Sequence, residues 1–218
     1  MFIGHFAPAL IAAAHKDAPR LPVLFIAAQL VDWAFFGLLL TGAEAMRIIP
    51  GFTKLSPLDL YHMPYTHSLL GAVAFGLAMG GLIWLVTRNR NAGLIAGAVV
   101  VSHWFLDWLV HIPDLTITGY APKFGLGLWN YPAIEIPLEL VLIFGSLCYY
   151  SRKSGAKGAP LWCFAGLLGV LQLYSWFGPM EAEVTIGTSL LALTAYGVVT
   201  FAAYCLERSG LAGTRAAG

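Results

Sequence analysis

The sequence predicts an all-α fold, a polytopic bundle of membrane-spanning helices that forms one domain over residues 1–218. Three observations support this prediction. Hydrophobic residues make up 59% of the chain and charged residues only 11%, whereas roughly a quarter of the residues in soluble domains are charged. Several apolar segments reach the length of about 20 residues that a helix needs to cross a bilayer. Lys and Arg concentrate in alternate loops, as in multi-pass membrane proteins.

The apolar segments predict one short helix followed by six full spans. Residues 1–14 are apolar but would cover only about two-thirds of a bilayer at 1.5 Å per residue. Residues 41–65 and 113–130 are interrupted by Pro, Gly and charged side chains, which predicts loops. The full spans are expected at residues 22–40, 66–86, 92–112, 131–150, 160–177 and 184–206. No long polar linker divides them, so a single domain is expected.

The distribution of basic residues predicts the orientation of the bundle. Nine of the twelve Lys and Arg fall in the loops and the tail on one side of the predicted membrane. The other three are Arg47, Lys54 and Lys123, in the two long loops. Because cytoplasmic loops are the ones enriched in Lys and Arg, the C-terminus is expected in the cytoplasm and the two long loops outside.

Three ionisable residues within the third full span form the most informative pattern in the chain. His103, Asp107 and His111 recur every four residues. Each step of four turns an α-helix by only about 40°, so the three side chains share one stripe. Such groups cost several kcal/mol in apolar surroundings unless they pair with each other or bind a metal. The stripe therefore predicts one wall of a metal site, with a hydrogen-bonded seam between helices as the alternative.

Further ionisable residues fall on the outer half of the predicted bundle. Asp32 and Glu139 lie, like His103, about 12 Å inside the outer ends of their spans at 1.5 Å per residue. The members nearer the outer surface are His5, His62, His67, Asp107, His111 and Glu135. Because polar residues in membrane bundles meet one another rather than lipid, we expect these side chains to converge. Imidazole with carboxylate suits zinc or another first-row divalent ion, and Asp107 is placed to bridge two ions.

Short motifs in a fixed order give the chain a family resemblance. They are Gly4-His5, Asp32, Thr66-His67-Ser68 and Ser102-His103 through Asp107, followed by Glu139. Over roughly residues 1–140 the sequence resembles bacterial inner-membrane proteins known as metal-dependent hydrolases. That family is thought to be distantly similar to zinc-dependent phospholipase C and to single-strand-specific nucleases, which hydrolyse phosphodiesters with clustered zinc ions.

The resemblance implies an inner-membrane enzyme with one to three divalent ions, zinc for preference. Its soluble relatives add a later His-x3-Glu/Asp pair, but no histidine follows His111 here. His111 and Glu139 are the nearest substitutes. A basic residue often found between the two loop histidines is also missing from the segment between His62 and His67. The implied metal ligands are His5, Asp32, His67, His103 and Asp107, with His111 and Glu139 completing the set.

The function expected from these residues is hydrolysis of a lipid phosphoester at the outer, periplasmic face, since an embedded site meets membrane lipids laterally. The predicted catalytic residues are Asp107, His111 and His62. His62 or a second ion would stabilise the developing charge, and His111 or a water molecule would protonate the leaving oxygen. A net charge of +1 without a basic patch predicts no nucleic-acid partner.

Two other functions fit parts of the pattern. A metal transporter or metallochaperone would use the same ligands, but it predicts polar residues continuing to the cytoplasmic side. Gln29 and Gln172 are the only polar steps found between the cluster and the predicted cytoplasmic side, which disfavours a path for ions through the membrane. A redox subunit would bind haem through histidine pairs. His103 and His111, however, lie two turns apart on one helix, too close to approach a macrocycle from opposite faces.

Overall fold

The computed structural model describes residues 1–179 and 181–216, with side chains through residue 210. The predicted domain limit at residue 218 lies outside this range. Within it the chain is mostly helical. The helices are α1 Ala7–Ala12, α2 Leu21–Ala28, α3 Leu30–Thr41, α4 Leu69–Thr87, α5 Arg90–Val110, α6 Pro132–Ser154, α7 Ala159–Phe177 and α8 Ile186–Ala216. Short 3-10 helices occupy Ile3–Phe6 and Leu128–Asn130.

Five helices, α4 to α8, are long and apolar enough to cross a membrane. The prediction of a polytopic helical membrane protein is confirmed at this level. The first predicted span, residues 22–40, differs because it consists of two helices bent by 53°. The bend falls at Gln29, whose backbone leaves the helical range at ψ 10°. If the bent pair counts as one span, the described residues contain six.

The α4–α5 hairpin is held together by glycines facing each other. A Cβ atom built on Gly80 would lie 2.8 Å from the carbonyl oxygen of Gly93, and one built on Gly97 would lie 2.8 Å from that of Gly76. The two backbones therefore approach more closely than any side chain would allow, as small residues permit in membrane bundles. This contact fixes α5, the helix that carries the stripe.

The N-terminal segment lies inside the bundle. Ile3, His5 and Phe6 are buried within the first 3-10 helix. The backbone N–H groups of Phe2 and Gly4 both donate to Glu139 Oε1 on α6, at 2.7 and 2.9 Å. The N–H of Ile3 donates to Gln172 Oε1 on α7 at 3.2 Å. Side chains of two distant helices thus hold the segment that carries His5.

The two long loops contain short strands that the sequence did not indicate. β1 Ala45–Ile48 pairs antiparallel with β2 Leu58–His62, and β3 Leu115–Thr116 pairs with β4 Lys123–Phe124. After β4 the chain turns back over the end of α5, where the N–H of Gly127 donates to the carbonyl of His111 at 2.7 Å. These loops cover the end of the bundle at which the ionisable residues meet.

Candidate metal centre

Asp107 on α5 lies at the centre of a group of four histidines. Its side chain is buried, with 2% of its surface exposed. Asp107 Oδ1 lies 3.0 Å from His5 Nε2 and 3.4 Å from His111 Nε2. Asp107 Oδ2 lies 3.0 Å from His103 Nε2 and 3.6 Å from His67 Nε2. The 3-10 helix at Ile3–Phe6, the start of α4 and helix α5 each bring imidazole rings to this one carboxylate.

A second carboxylate, Asp32 at the start of α3, shares two of these rings. Its Oδ1 lies 3.3 Å from His67 Nε2 and 3.4 Å from His103 Nε2. Its other oxygen accepts a hydrogen bond from the Tyr196 hydroxyl at 3.3 Å. Two ligand sets result, His5/His103/Asp107 and Asp32/His67/His103, in each of which all three ligand atoms lie within 4.8 Å of one another. His103 belongs to both.

In two histidines of the group, a hydrogen bond at Nδ1 fixes the orientation of the ring. His103 Nδ1 lies 2.8 Å from the carbonyl of Ala28, the last residue of α2. A carbonyl only accepts, so this nitrogen carries the proton, and the final carbonyls of a helix are free to accept it. His111 Nδ1 lies 3.0 Å from Asp114 Oδ1. In both rings the Nε2 atom is left to face the carboxylates.

His67 is oriented by a relay of two residues. Its Nδ1 lies 2.8 Å from Thr66 Oγ1, and that hydroxyl donates to Glu44 Oε2 at 2.6 Å. Since the hydroxyl proton is used on Glu44, the oxygen of Thr66 accepts from His67. Glu44 Oε1 also accepts the N–H groups of Tyr65 and Thr66 at 2.8 and 2.9 Å. Such outer partners are typical of metal-binding histidines, whose second nitrogen they align.

The four rings and the two carboxylates form a group that could hold a cation. A neutral ring with its proton on Nδ1 presents a lone pair at Nε2, and a lone pair facing a carboxylate oxygen at 3.0–3.6 Å is repelled. The stacked rings of His5 and His103 have centroids 3.8 Å apart, so adding a proton to both places two charges in contact. The Met1 amino group lies 3.5 Å from Asp107 Oδ1, which balances one of the two carboxylates.

The separations fit a small tetrahedral ion. Zinc binds His nitrogen and carboxylate oxygen at about 2.0–2.2 Å, which sets tetrahedral ligand atoms roughly 3.3 Å apart. The six distances between ring nitrogens and carboxylate oxygens around Asp107 and Asp32 run from 3.0 to 3.6 Å. Either ligand set could therefore hold a metal ion among its three side chains.

His111 has the character of a proton donor. Burial lowers the pKa of this ring, but the nearby carboxylates of Asp114 and Asp107 raise it by more, to about 9. The ring also packs on Trp129, with centroids 4.2 Å apart. His111 faces Asp107 but belongs to neither of the two compact ligand sets.

Glu139 and His62 have surroundings that differ from those predicted for a ligand and a catalytic residue. Both oxygens of Glu139 are engaged, one by the N–H groups of Phe2 and Gly4 and the other by Gln172 Nε2 at 2.9 Å. Glu139 therefore anchors the segment bearing His5. His62 is exposed at the end of β2 and pairs with Ala45, away from the residues that line the cavity described next.

A cavity of about 370 Å³ reaches the candidate metal centre, and Asp32, His67, Asp107 and His111 are among its lining residues. Its walls are largely apolar and come from α3, α7 and α8; they include Phe35, Phe36, Leu171, Leu191 and Ala195. Among the described residues that line it, none is Lys or Arg.

Comparison with protein-family models, with curated proteins and with solved structures finds no match for the chain. The resemblance to the inner-membrane metal-dependent hydrolases therefore stays a prediction. What the chain does must be inferred from the geometry of Asp107 and its neighbours.

Three supporting residues escaped prediction from the sequence. Glu44 and Asp114 lie in the predicted loops, where a carboxylate is normally solvated. A signal existed for Asp114, since it follows His111 by three residues. Glu44 has 21 residues between itself and Thr66, and no periodicity links them. The carbonyl of Ala28 carries no sequence signal at all.

Proposed function

We propose that the protein is a membrane-embedded, metal-dependent hydrolase that cleaves a lipid phosphoester or another phosphoester held at the membrane. The observation that carries the proposal is the set of ring nitrogens and carboxylate oxygens spaced for a tetrahedral ion around Asp107. The donor set of imidazole and carboxylate favours zinc. We further propose a bacterial inner-membrane location, a cytoplasmic C-terminus and a site that faces the periplasm or the outer leaflet.

The residues divide the work of hydrolysis among them. When bound, the cation supplies Lewis-acid chemistry, drawing charge from a phosphoryl oxygen and making water a stronger acid. His5, His67 and His103 would supply Nε2 ligands to the cation, and Asp107 would balance its charge. His111, with its raised pKa, is the candidate to hand a proton to the leaving oxygen.

A lipid is the favoured substrate because the cavity is built from helices that would meet the bilayer. Leu171 on α7 and Leu191 on α8 line it, and both helices are long and apolar enough to cross a membrane. With its phosphoryl group at Asp107, a lipid would place its apolar part along these walls. Membrane lipids are thus the expected partners.

The proposal is tested by metal analysis and a substrate panel. Purified protein should contain zinc in stoichiometric amount by plasma mass spectrometry, and it should release product from at least one phospholipid or lipid phosphate. Asp107→Asn, which keeps the shape of the side chain, should lose both properties. His15→Ala is the matched control, because His15 is exposed at the predicted cytoplasmic end.

Two results would count against a hydrolase. Folded protein that holds no metal after growth in zinc-supplemented medium contradicts the metal centre. Protein that holds zinc yet cleaves no member of the panel, while proteoliposomes accumulate zinc in an Asp107-dependent way, supports metal transport instead. A haem role is disfavoured because the rings of His5 and His103 stack in parallel, with 8° between their planes, and do not face each other across a gap.

A further inference from the structure

Glu135 is a buried carboxylate that the metal centre does not use. It lies in the first turn of α6 with 1% of its surface exposed. Neither of its oxygens has a hydrogen-bond partner among the described residues. Its side chain lines the same cavity that opens onto Asp107 and His111. A polar group of this kind is costly to bury and calls for a physical explanation.

The nearest ionisable neighbour of Glu135 is also a carboxylate. Glu139, one turn further along α6, acts on it both by charge and through the side chain, and the Met1 amino group acts on it as a positive charge. Among the described lining residues the cavity offers no Lys or Arg, and the amino group of Met1 is engaged at Asp107. Glu135 also belongs to neither compact ligand set of the metal centre. A ligand ammonium in the cavity would supply the hydrogen-bond donors that neither oxygen of Glu135 finds among the described residues.

The chemistry of the walls indicates which cation fits. Phe2, Trp129, Tyr174, Trp176 and Tyr196 all line the cavity. Aromatic faces attract ammonium groups. A carboxylate with two free oxygens also needs N–H donors. A primary ammonium has three such donors, whereas a quaternary ammonium has none, so the primary amine satisfies both features.

We propose that Glu135 binds the primary ammonium of the substrate head group, and hence that the substrate is an aminoalcohol phospholipid of the ethanolamine type. This inference rests on the proposed phosphoesterase function. The phosphoryl group lies at the Asp107 centre and the ammonium at Glu135, so the two ends of one zwitterionic head group meet opposite charges at two places in one cavity. Glu135 is a specificity residue in this scheme and takes no part in binding the metal.

The test compares two lipids that differ only in the head group. Dioleoyl phosphatidylethanolamine and dioleoyl phosphatidylglycerol are offered in mixed micelles to the zinc-loaded wild-type protein and to Glu135→Gln. The wild type should favour the ethanolamine lipid. Glu135→Gln should raise KM for that lipid by about tenfold or more, the loss expected for a hydrogen bond to a charged group. Zinc content should stay unchanged, and hydrolysis of the glycerol lipid, which has no ammonium to lose its partner, should not fall.

A binding measurement gives a second readout that needs no turnover. Dodecylamine, which carries the ammonium without a phosphate, should change the tryptophan fluorescence of the wild type and not that of Glu135→Gln. Dodecyltrimethylammonium should bind more weakly. Glu183→Gln is the matched control, since Glu183 is exposed. Glu135→Gln should fold at least as well as the wild type because it removes an unpaired buried charge, and Glu135→Asp should retain part of the preference.

The outcomes separate the inference from the proposed function. If the wild type cleaves both lipids equally, or Glu135→Gln slows both equally, the phosphoesterase stands and the ammonium site is wrong. If neither lipid is cleaved but dodecylamine binds only when Glu135 is present, the amine site stands and the hydrolase proposal fails. If dodecylamine binds equally to both proteins, the inference is overturned.

Discussion

The outer halves of α5 and α6 carry the same spacing and use it differently. Both helices place ionisable side chains four residues apart, as His103, Asp107 and His111 on α5 and as Glu135 and Glu139 on α6. The α5 carboxylate faces the Nε2 atoms of four histidines and the Met1 amino group. Glu139 faces two backbone N–H groups and an amide, so its oxygens are already satisfied. Burial and spacing alone do not distinguish a metal ligand from an anchor; the direction of the neighbouring protons does.

The largest difference should appear when the central carboxylate is neutralised. Asp107→Asn leaves four ring nitrogens facing an uncharged amide, and we expect its zinc affinity to fall more than 100-fold, beyond the range seen when outer partners are changed. Competition with a fluorescent zinc chelator measures this. Zinc retained at wild-type affinity would mean that the ion binds elsewhere.

A smaller loss of zinc affinity is expected when the hydrogen-bond partner of His67 Nδ1 is changed. Thr66→Val removes the hydroxyl that accepts from the ring and leaves Glu44 without one of its donors. Zinc affinity should fall roughly 10–100-fold, as for other outer partners of metal-binding histidines, in the same chelator competition.

Two controls accompany this variant. Thr66→Ser keeps the hydroxyl and should restore most of the affinity. Thr87→Val removes a hydroxyl that bonds the carbonyl of Ile83 on the exposed face of α4, and it should leave zinc binding unchanged. Equal binding by Thr66→Val and the wild type would rule out the relay.

The smallest effect on the metal should come from the α6 anchor. Glu139→Gln weakens hydrogen bonds to a charged group, each worth about 1–3 kcal/mol. Thermal unfolding in detergent should therefore occur at a lower temperature. Zinc should still bind in stoichiometric amount, since the amide oxygen can hold the segment of His5 in part. Loss of zinc as complete as in Asp107→Asn would instead make Glu139 a ligand, as the sequence suggested.

The sequence predicted the helical membrane bundle and the convergence of its histidines because both depend on composition and period. Long apolar runs give spans, and a spacing of four gives a shared face. The break at Gln29 was not predictable in this way. The run from Pro22 to Leu40 has only Gln29 and Asp32 as polar side chains, and no proline follows Pro22 within it to mark a break.

The supporting residues were missed for a related reason. Glu44 and Asp114 reach the centre through loops whose course depends on short strand pairs and turns. Glu139 was placed at the correct depth, but its partners are backbone N–H groups, which every residue other than proline carries and which no pattern of side chains announces.

The insertion of the N-terminal segment sets an order for assembly. Residues 2–4 reach their acceptors 135 to 169 positions later in the chain. During synthesis His5 is made early, whereas Glu139 and Gln172, which hold residues 2–4, are made with α6 and α7. A nascent chain that stops before Glu139 carries all six histidines but lacks the acceptors that hold residues 2–4. Under the proposed function, metal binding would then require a bundle that includes α6 and α7.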